Sequence, residues 1–122
     1  MIQHNGQTLA YIGDAYYELK IREALLETGI TKANKLHQAV TVYTSAKGQV
    51  EALKQIEHLL TEEELRIIKR GRNAEGSRKP KNIELQHYKL ATGFEALIGY
   101  LYLCGKLERI HYFLKEILKL RA

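Results

Sequence analysis

Two apolar segments with helical spacing, each with a carboxylate set inside it, limit what this chain can fold into. The first is Leu9-Ala10-Tyr11-Ile12-Gly13-Asp14-Ala15-Tyr16-Tyr17-Glu18-Leu19. The second is Ala91-Thr92-Gly93-Phe94-Glu95-Ala96-Leu97-Ile98-Gly99-Tyr100-Leu101-Tyr102-Leu103. Both need a core against their apolar faces and a partner for the acid, because an isolated buried carboxylate is costly. Two acids on two helices can share one cation. A hard ion such as Mg²⁺ takes oxygen ligands, commonly one or two carboxylates with waters for the rest, and suits phosphoryl chemistry. The plainer alternative pairs Asp14 and Glu95 each with a lysine or arginine.

The rest of the chain is helical in pattern, with no alternating strand signal, no internal repeat and no linker. The first helix is expected over about residues 8–27, stopping at Gly29. Leu9, Ile12, Ala15, Tyr16, Leu19 and Ala24 put apolar residues on more than one of its faces, which predicts a largely buried helix or one used in a dimer. A second helix begins near Thr31 and presents Leu36, Ala39, Val40 and Tyr43. A third follows a Thr44-Ser45 cap and presents Val50, Leu53 and Ile56. Thr61-Glu62-Glu63-Glu64 is a capping-box pattern, so a fourth helix runs from near Thr61 to about Arg70 and ends before Gly71. The fifth starts past Pro80 and ends near Leu103. After Gly105 the sixth carries a stripe of Leu107, Ile110, Phe113, Leu114, Ile117 and Leu118. Gly13 on the first helix, and Gly93 and Gly99 on the fifth, make two small-residue helices that can pack closely and bring Asp14 near Glu95.

Charge is concentrated rather than spread. The net charge is +5, yet residues 66–81 alone hold seven cations and a single acid, Glu75. That segment therefore carries the whole positive excess. Its middle, Gly71-Arg72-Asn73-Ala74-Glu75-Gly76-Ser77-Arg78-Lys79-Pro80, reads as a loop, and a basic loop suits a phosphate backbone. A solvated charged loop is the bland reading of the same residues. No apolar run is long enough to span a membrane, and the N-terminus has no basic-then-apolar leader pattern. One cysteine, Cys104, suits a reducing cytoplasm and lacks a neighbour that would make it a nucleophile. The five histidines show no zinc spacing. No glycine-rich nucleotide loop is present.

The first segment resembles the signature helix of ribonuclease III proteins, and the second resembles that family's later glutamate-bearing helix. The likeness is closer to one branch, the Mini-ribonuclease III proteins, and extends over essentially the whole chain. It includes residues 9–19, Asn34-Lys35-Leu36-His37, Tyr43-Thr44-Ser45-Ala46-Lys47, Arg70-Gly71-Arg72-Asn73-Ala74, Pro80-Lys81-Asn82 and residues 91–103. The resemblance implies an all-α homodimer that hydrolyses double-stranded RNA with Mg²⁺, leaving 5′-phosphates, 3′-hydroxyls and short 3′ overhangs. For this branch it implies no separate RNA-binding domain, and maturation of the large-subunit (23S) ribosomal RNA precursor in bacteria. A ribosomal protein is a candidate assistant. One catalytic domain is expected over residues 1–122, with no room for a second after the last helix.

Carried over residue by residue, the family's aspartate matches Asp14 and its glutamate matches Glu95. These are the expected catalytic and metal-binding residues. Larger ribonuclease III enzymes have acids four and seven residues before the aspartate and three before the glutamate. Here those positions are Ala10, Gln7 and Thr92. With two carboxylates the ion keeps several waters and draws the rest of its shell from RNA phosphates, so weak binding is expected without RNA. Arg70, Arg72, Asn73, Arg78, Lys79 and Lys81 are the expected RNA contacts. Duplex RNA is read mostly through shape, phosphate and 2′-hydroxyls, and Asn73 and Ser77 are candidates for the hydroxyls. Glu18 is expected in an ion pair, with an outer-ligand role as the alternative. Two rival functions remain: a non-catalytic RNA-binding module with the same fold, and a helix-turn-helix DNA binder. The second would need its cations on one exposed helix.

Overall fold

A computed structural model describes residues 4–74 and 84–119 of the 122-residue chain. Its described residues form six α-helices and no strand: α1 (Gly6–Glu27), α2 (Ala33–Thr44), α3 (Ala46–Ile56), α4 (Glu62–Arg72), α5 (Leu85–Leu103) and α6 (Leu107–Lys119). A short 3-10 turn, Glu57–Leu59, links α3 to α4 and has no counterpart in the sequence expectation. No helix among the described residues is long and apolar enough to cross a membrane.

α5 is the axis of the molecule. Every residue from Ala91 to Leu101 except Glu95 is buried, so this helix is apolar on all sides and the others must cover it. It packs against α1, α4, α3 and α6, with the α1 pairing the most extensive. Tyr17, Phe94, Leu97, Ile98, Ile110, Phe113 and Ile117 are among the core residues. α5 ends in a left-handed residue, Gly105 at φ +74. There the Lys106 amide returns to the Leu101 carbonyl at 2.8 Å and the Gly105 amide to Tyr102 at 3.0 Å. This closing pattern needs a residue without a Cβ at the turn.

Local chemistry sets the other helix starts. Asn5 caps α1 through a 2.8 Å hydrogen bond from the Thr8 amide, so the helix begins two residues before the expected start. α2 begins at Ala33 rather than near Thr31, and its N-cap residue, Lys32, makes no side-chain cap. Ser45 ends α2 and caps α3, accepting from the Gly48 amide at 3.1 Å. Thr61 and Glu64 form the expected capping box of α4. Glu64 is buried, and both of its oxygens accept from Arg109 of α6 at 2.8 Å. A further Arg109 donor reaches the Leu59 carbonyl at 2.8 Å, which ties α6 to the turn before α4.

Two expectations need correction. α4 does not stop before Gly71 but continues to Arg72. Gly71 is a packing position: a Cβ there would meet the Ala96 methyl at 2.6 Å and the Gly93 Cα at 3.0 Å on α5. For α1 the sequence predicts a largely buried helix or one used in a dimer, and within one chain the first of these does not hold. Leu9, Gly13, Tyr17 and Ile21 form one buried stripe at four-residue spacing, while Tyr11, Leu19 and Leu26 are 79%, 51% and 51% exposed.

Candidate active site

The site is built where α1 crosses α5. A Cβ placed on Gly13 would fall onto the Glu95 carbonyl oxygen and lie 2.7 Å from the Gly99 amide nitrogen. A Cβ on Gly99 would fall onto the Leu9 carbonyl and lie 3.0 Å from the Gly13 nitrogen. The two glycines therefore let the helix backbones touch. Asp14 follows one of them, and Glu95 stands one helical turn before the other. Their carboxyls end within hydrogen-bonding reach of each other, Asp14 on the open side and Glu95 half-buried.

A third element closes the inner side. Gln49 lies in the first turn of α3 and is only 3% exposed. Its Nε2 donates to Glu95 Oε2 at 3.1 Å. Burial and then the neighbouring Asp14 charge push the Glu95 carboxyl up to about 8; the bond from Gln49 works against them, and the hydrogen bond with Asp14 adds to the rise. Glu95 therefore keeps its proton at neutral pH unless a cation takes its place. Among the described residues neither forms an ion pair with a lysine or arginine. The described residues thus give no support to separate ion pairs, and the two carboxyls form an oxygen-only donor pair that fits a hard divalent cation.

The surrounding positions add no further acid. Ala10 is buried and Gln7 exposed. Thr92 is buried, with its hydroxyl donating to the Tyr88 carbonyl at 2.9 Å. No group of three or more histidine, cysteine or acidic side chains able to hold a metal occurs among the described residues. Glu18 pairs with Arg22 one turn on, as expected of an exposed helix pair.

Among the described residues, three cations of the basic segment lie on a helix end. Lys69, Arg70 and Arg72 fill the last turn of α4, where the helix dipole favours cations, and Asn73 is its C-cap. Arg70 donates to the His4 carbonyl at 3.3 Å. With Asn73, Ala74 and residues 4–7 it lines an open polar cavity of about 450 Å³. Arg72, two residues on, faces the start of α5 beside Leu85, Tyr88 and Lys89. Arg70 and Arg72 thus line different cavities. Arg78, Lys79, Lys81 and Ser77 lie outside the described residues.

The Ribonuclease III domain family matches residues 7–106, a span that contains both carboxylates and the crossing that joins them. The chain belongs to the ribonuclease III family. Its ribonuclease III fold superposes on a crystal structure of a protein from Fusobacterium nucleatum with a TM-score of 0.89 and 34% identity, covering 98% of this chain and 96% of the other. The chain is 49% identical over 112 residues to the Mini-ribonuclease 3 of Thermoanaerobacter sp., covering 92% of this chain and 76% of that protein. It is 46% identical over 115 residues to the Mini-ribonuclease 3 of Symbiobacterium thermophilum, covering 94% and 85%. That of Streptococcus pneumoniae is 49% identical over 108 residues, covering 87% and 84%. The activity class that goes with this ribonuclease III membership is endoribonuclease. Gln49 is the site residue that sequence reasoning missed. A glutamine in an amphipathic helix looks like surface, and only its place just after the Ser45 cap and Gly48 hints that it points inward.

Proposed function

We propose that the chain is a Mg²⁺-dependent endoribonuclease of double-stranded RNA, with Asp14 and Glu95 as its catalytic and metal-holding residues. One observation carries the reading: two carboxylates on different helices, held together by backbone contact, neither in an ion pair with a lysine or arginine among the described residues. A divalent cation bound there would supply Lewis acidity toward a phosphate oxygen and toward a water. Glu95, which holds its proton up to about 8, would release it on holding a cation, and Gln49 would keep the oxygen it donates to engaged. Asp14, on the open side, faces the approaching backbone. Arg70, Arg72 and Asn73 at the end of α4, and Arg78, Lys79 and Lys81 later in the sequence, are the proposed grips on phosphates along the duplex.

Cutting both strands needs two sites, and a two-fold dimer supplies them. The exposed Tyr11, Leu19 and Leu26 on α1 support that arrangement, since a partner would cover them. The similarity to Mini-ribonuclease 3 proteins supports the large-subunit ribosomal RNA precursor of a bacterial cytoplasm as substrate, with a ribosomal protein as helper, and 5′-phosphate products.

The test is cleavage of long double-stranded RNA with and without Mg²⁺ by the wild type and by Asp14→Asn, with single-stranded RNA and duplex DNA as controls. Mg²⁺-dependent cutting of the RNA duplex alone, lost in Asp14→Asn, is expected. RNA binding without cutting by either protein would favour the non-catalytic module, for which the missing acids at Gln7, Ala10 and Thr92 speak.

A further inference from the structure

Three buried polar side chains occur among the described residues: Gln49, Glu64 and Thr92. Two have an architectural account. Glu64 closes the α4 cap and pairs with Arg109, and Thr92 bonds its own helix. Gln49 neither caps a helix nor satisfies a loop. Its amide reaches across to Glu95. A leucine or methionine would fill the same space without the cost of burying an amide.

The element that carries Gln49 is fixed on all sides. Ser45 ends one helix and starts the next, leaving no loop to flex. A Cβ on Gly48 would fall onto the Val42 carbonyl and meet the Tyr43 backbone at 2.8 Å, so α3 starts directly against the end of α2. The Gln49 amide N–H returns to the Ser45 carbonyl at 2.9 Å. Tyr17, one turn after Asp14, donates its hydroxyl to the Tyr43 carbonyl of the same corner at 3.2 Å. Its ring meets Phe94, the residue before Glu95, edge-on at 5.0 Å. Both acid-bearing helices are therefore referred to one corner: α1 through Tyr17, and α5 through Gln49 and the Phe94 ring.

We infer that Gln49 is a positioning residue, whose buried carboxamide holds the Glu95 carboxylate in the orientation that lets it share one divalent cation with Asp14. The inference rests on the metal-dependent reading above. The Gln49 side chain donates to Glu95, so it sets how well the cation is held rather than the chemistry after it is bound. Outer-shell hydrogen bonds of this kind orient a ligand carboxylate and raise metal affinity.

The test uses the full chain as wild type, Gln49→Met, Gln49→Asn and Asp14→Asn. Methionine keeps the volume and removes the donor. Asparagine keeps the amide, one methylene too short to reach. Mn²⁺ binding to the RNA-free protein is followed by electron paramagnetic resonance, and duplex cleavage is measured against Mg²⁺ concentration. Both Gln49 variants are expected to weaken Mn²⁺ binding and raise the Mg²⁺ needed for half-maximal cleavage by about tenfold, as outer-shell losses do, with the maximal rate at saturating Mg²⁺ nearly retained. Unchanged metal dependence in a folded Gln49→Met or Gln49→Asn protein would overturn the inference, as would a lower maximal rate at an unchanged Mg²⁺ midpoint. If Asp14→Asn matches the wild type both in Mn²⁺ binding and in the Mg²⁺ dependence of cleavage, the metal-site reading itself fails. If Asp14→Asn loses Mn²⁺ while both Gln49 variants keep it, only the role of Gln49 fails. Should Gln49→Met not fold, the asparagine variant decides.

Discussion

The backbone of Gly13 lies against the carbonyl of Glu95 with no room for a side chain between them. Replacing Gly13 with alanine forces α1 off α5. The loss of stability is expected to be about 3 kcal/mol or more, at the upper end for overpacked cores, because neither backbone can yield alone. Denaturant unfolding of Gly13→Ala measures it. A loss below about 1 kcal/mol would mean that the helices slide apart freely.

The raised Glu95 carboxyl makes a pH dependence with a definite sign. Folded, the group holds its proton up to about 8; unfolded, it releases it near 4.5. Its contribution to stability is complete below the lower value and is lost as pH rises through the upper one. In chelator, the melting temperature of the wild type is expected to fall relative to Glu95→Gln across that window. Mg²⁺ at the alkaline end should restore part of it by binding the folded state. Parallel profiles for the two proteins would show that the proton is not held in the pair.

Arg109 and Glu64 give the opposite trend. Burial pushes the Glu64 carboxyl up, but the Arg109 guanidinium and the Thr61 backbone hydrogen bond outweigh it and leave it below the ordinary range. Stability from this pair is present above the unfolded value of 4.5 and lost as pH falls through the folded one. Arg109→Met strands a buried carboxylate and is expected to cost about 2 kcal/mol or more near neutral pH, and less in acid. Thermal melts at neutral and acid pH decide it; an equal loss at both would assign the effect to packing.

Arg70→Ala is expected to weaken duplex RNA binding and to lower the slope of log affinity against log salt by roughly 1, as the loss of one phosphate contact does. Mn²⁺ binding should not change, because Arg70 touches His4 rather than the carboxylates. An unchanged salt slope would leave Arg70 as a helix-end charge only.

The helices were legible wherever apolar spacing and capping chemistry agreed. Thr61-Glu64 and Ser45 mark real starts, and Gly29 and Gly105 mark real stops with φ of +102 and +74. Gly71 misleads because glycine ends helices for one reason and sits between helices for another, and only the facing Ala96 and Gly93 tell the two apart. The approach of Asp14 to Glu95 was legible because their flanking glycines are local signals. Gln49 was not, since its partner is 46 residues away and nothing nearby records the distance.

The α1–α5 crossing also fixes when the site comes apart. Two carboxyls whose helices touch through their main chains cannot be parted far by a hinge or a lid; the helices themselves must separate. Amide hydrogen exchange at Gly13 and Gly99 should therefore proceed only through global unfolding, at the slowest rate in the chain. Heat would then abolish metal binding and the fold in a single cooperative event, with no population of folded molecules that have lost the pair.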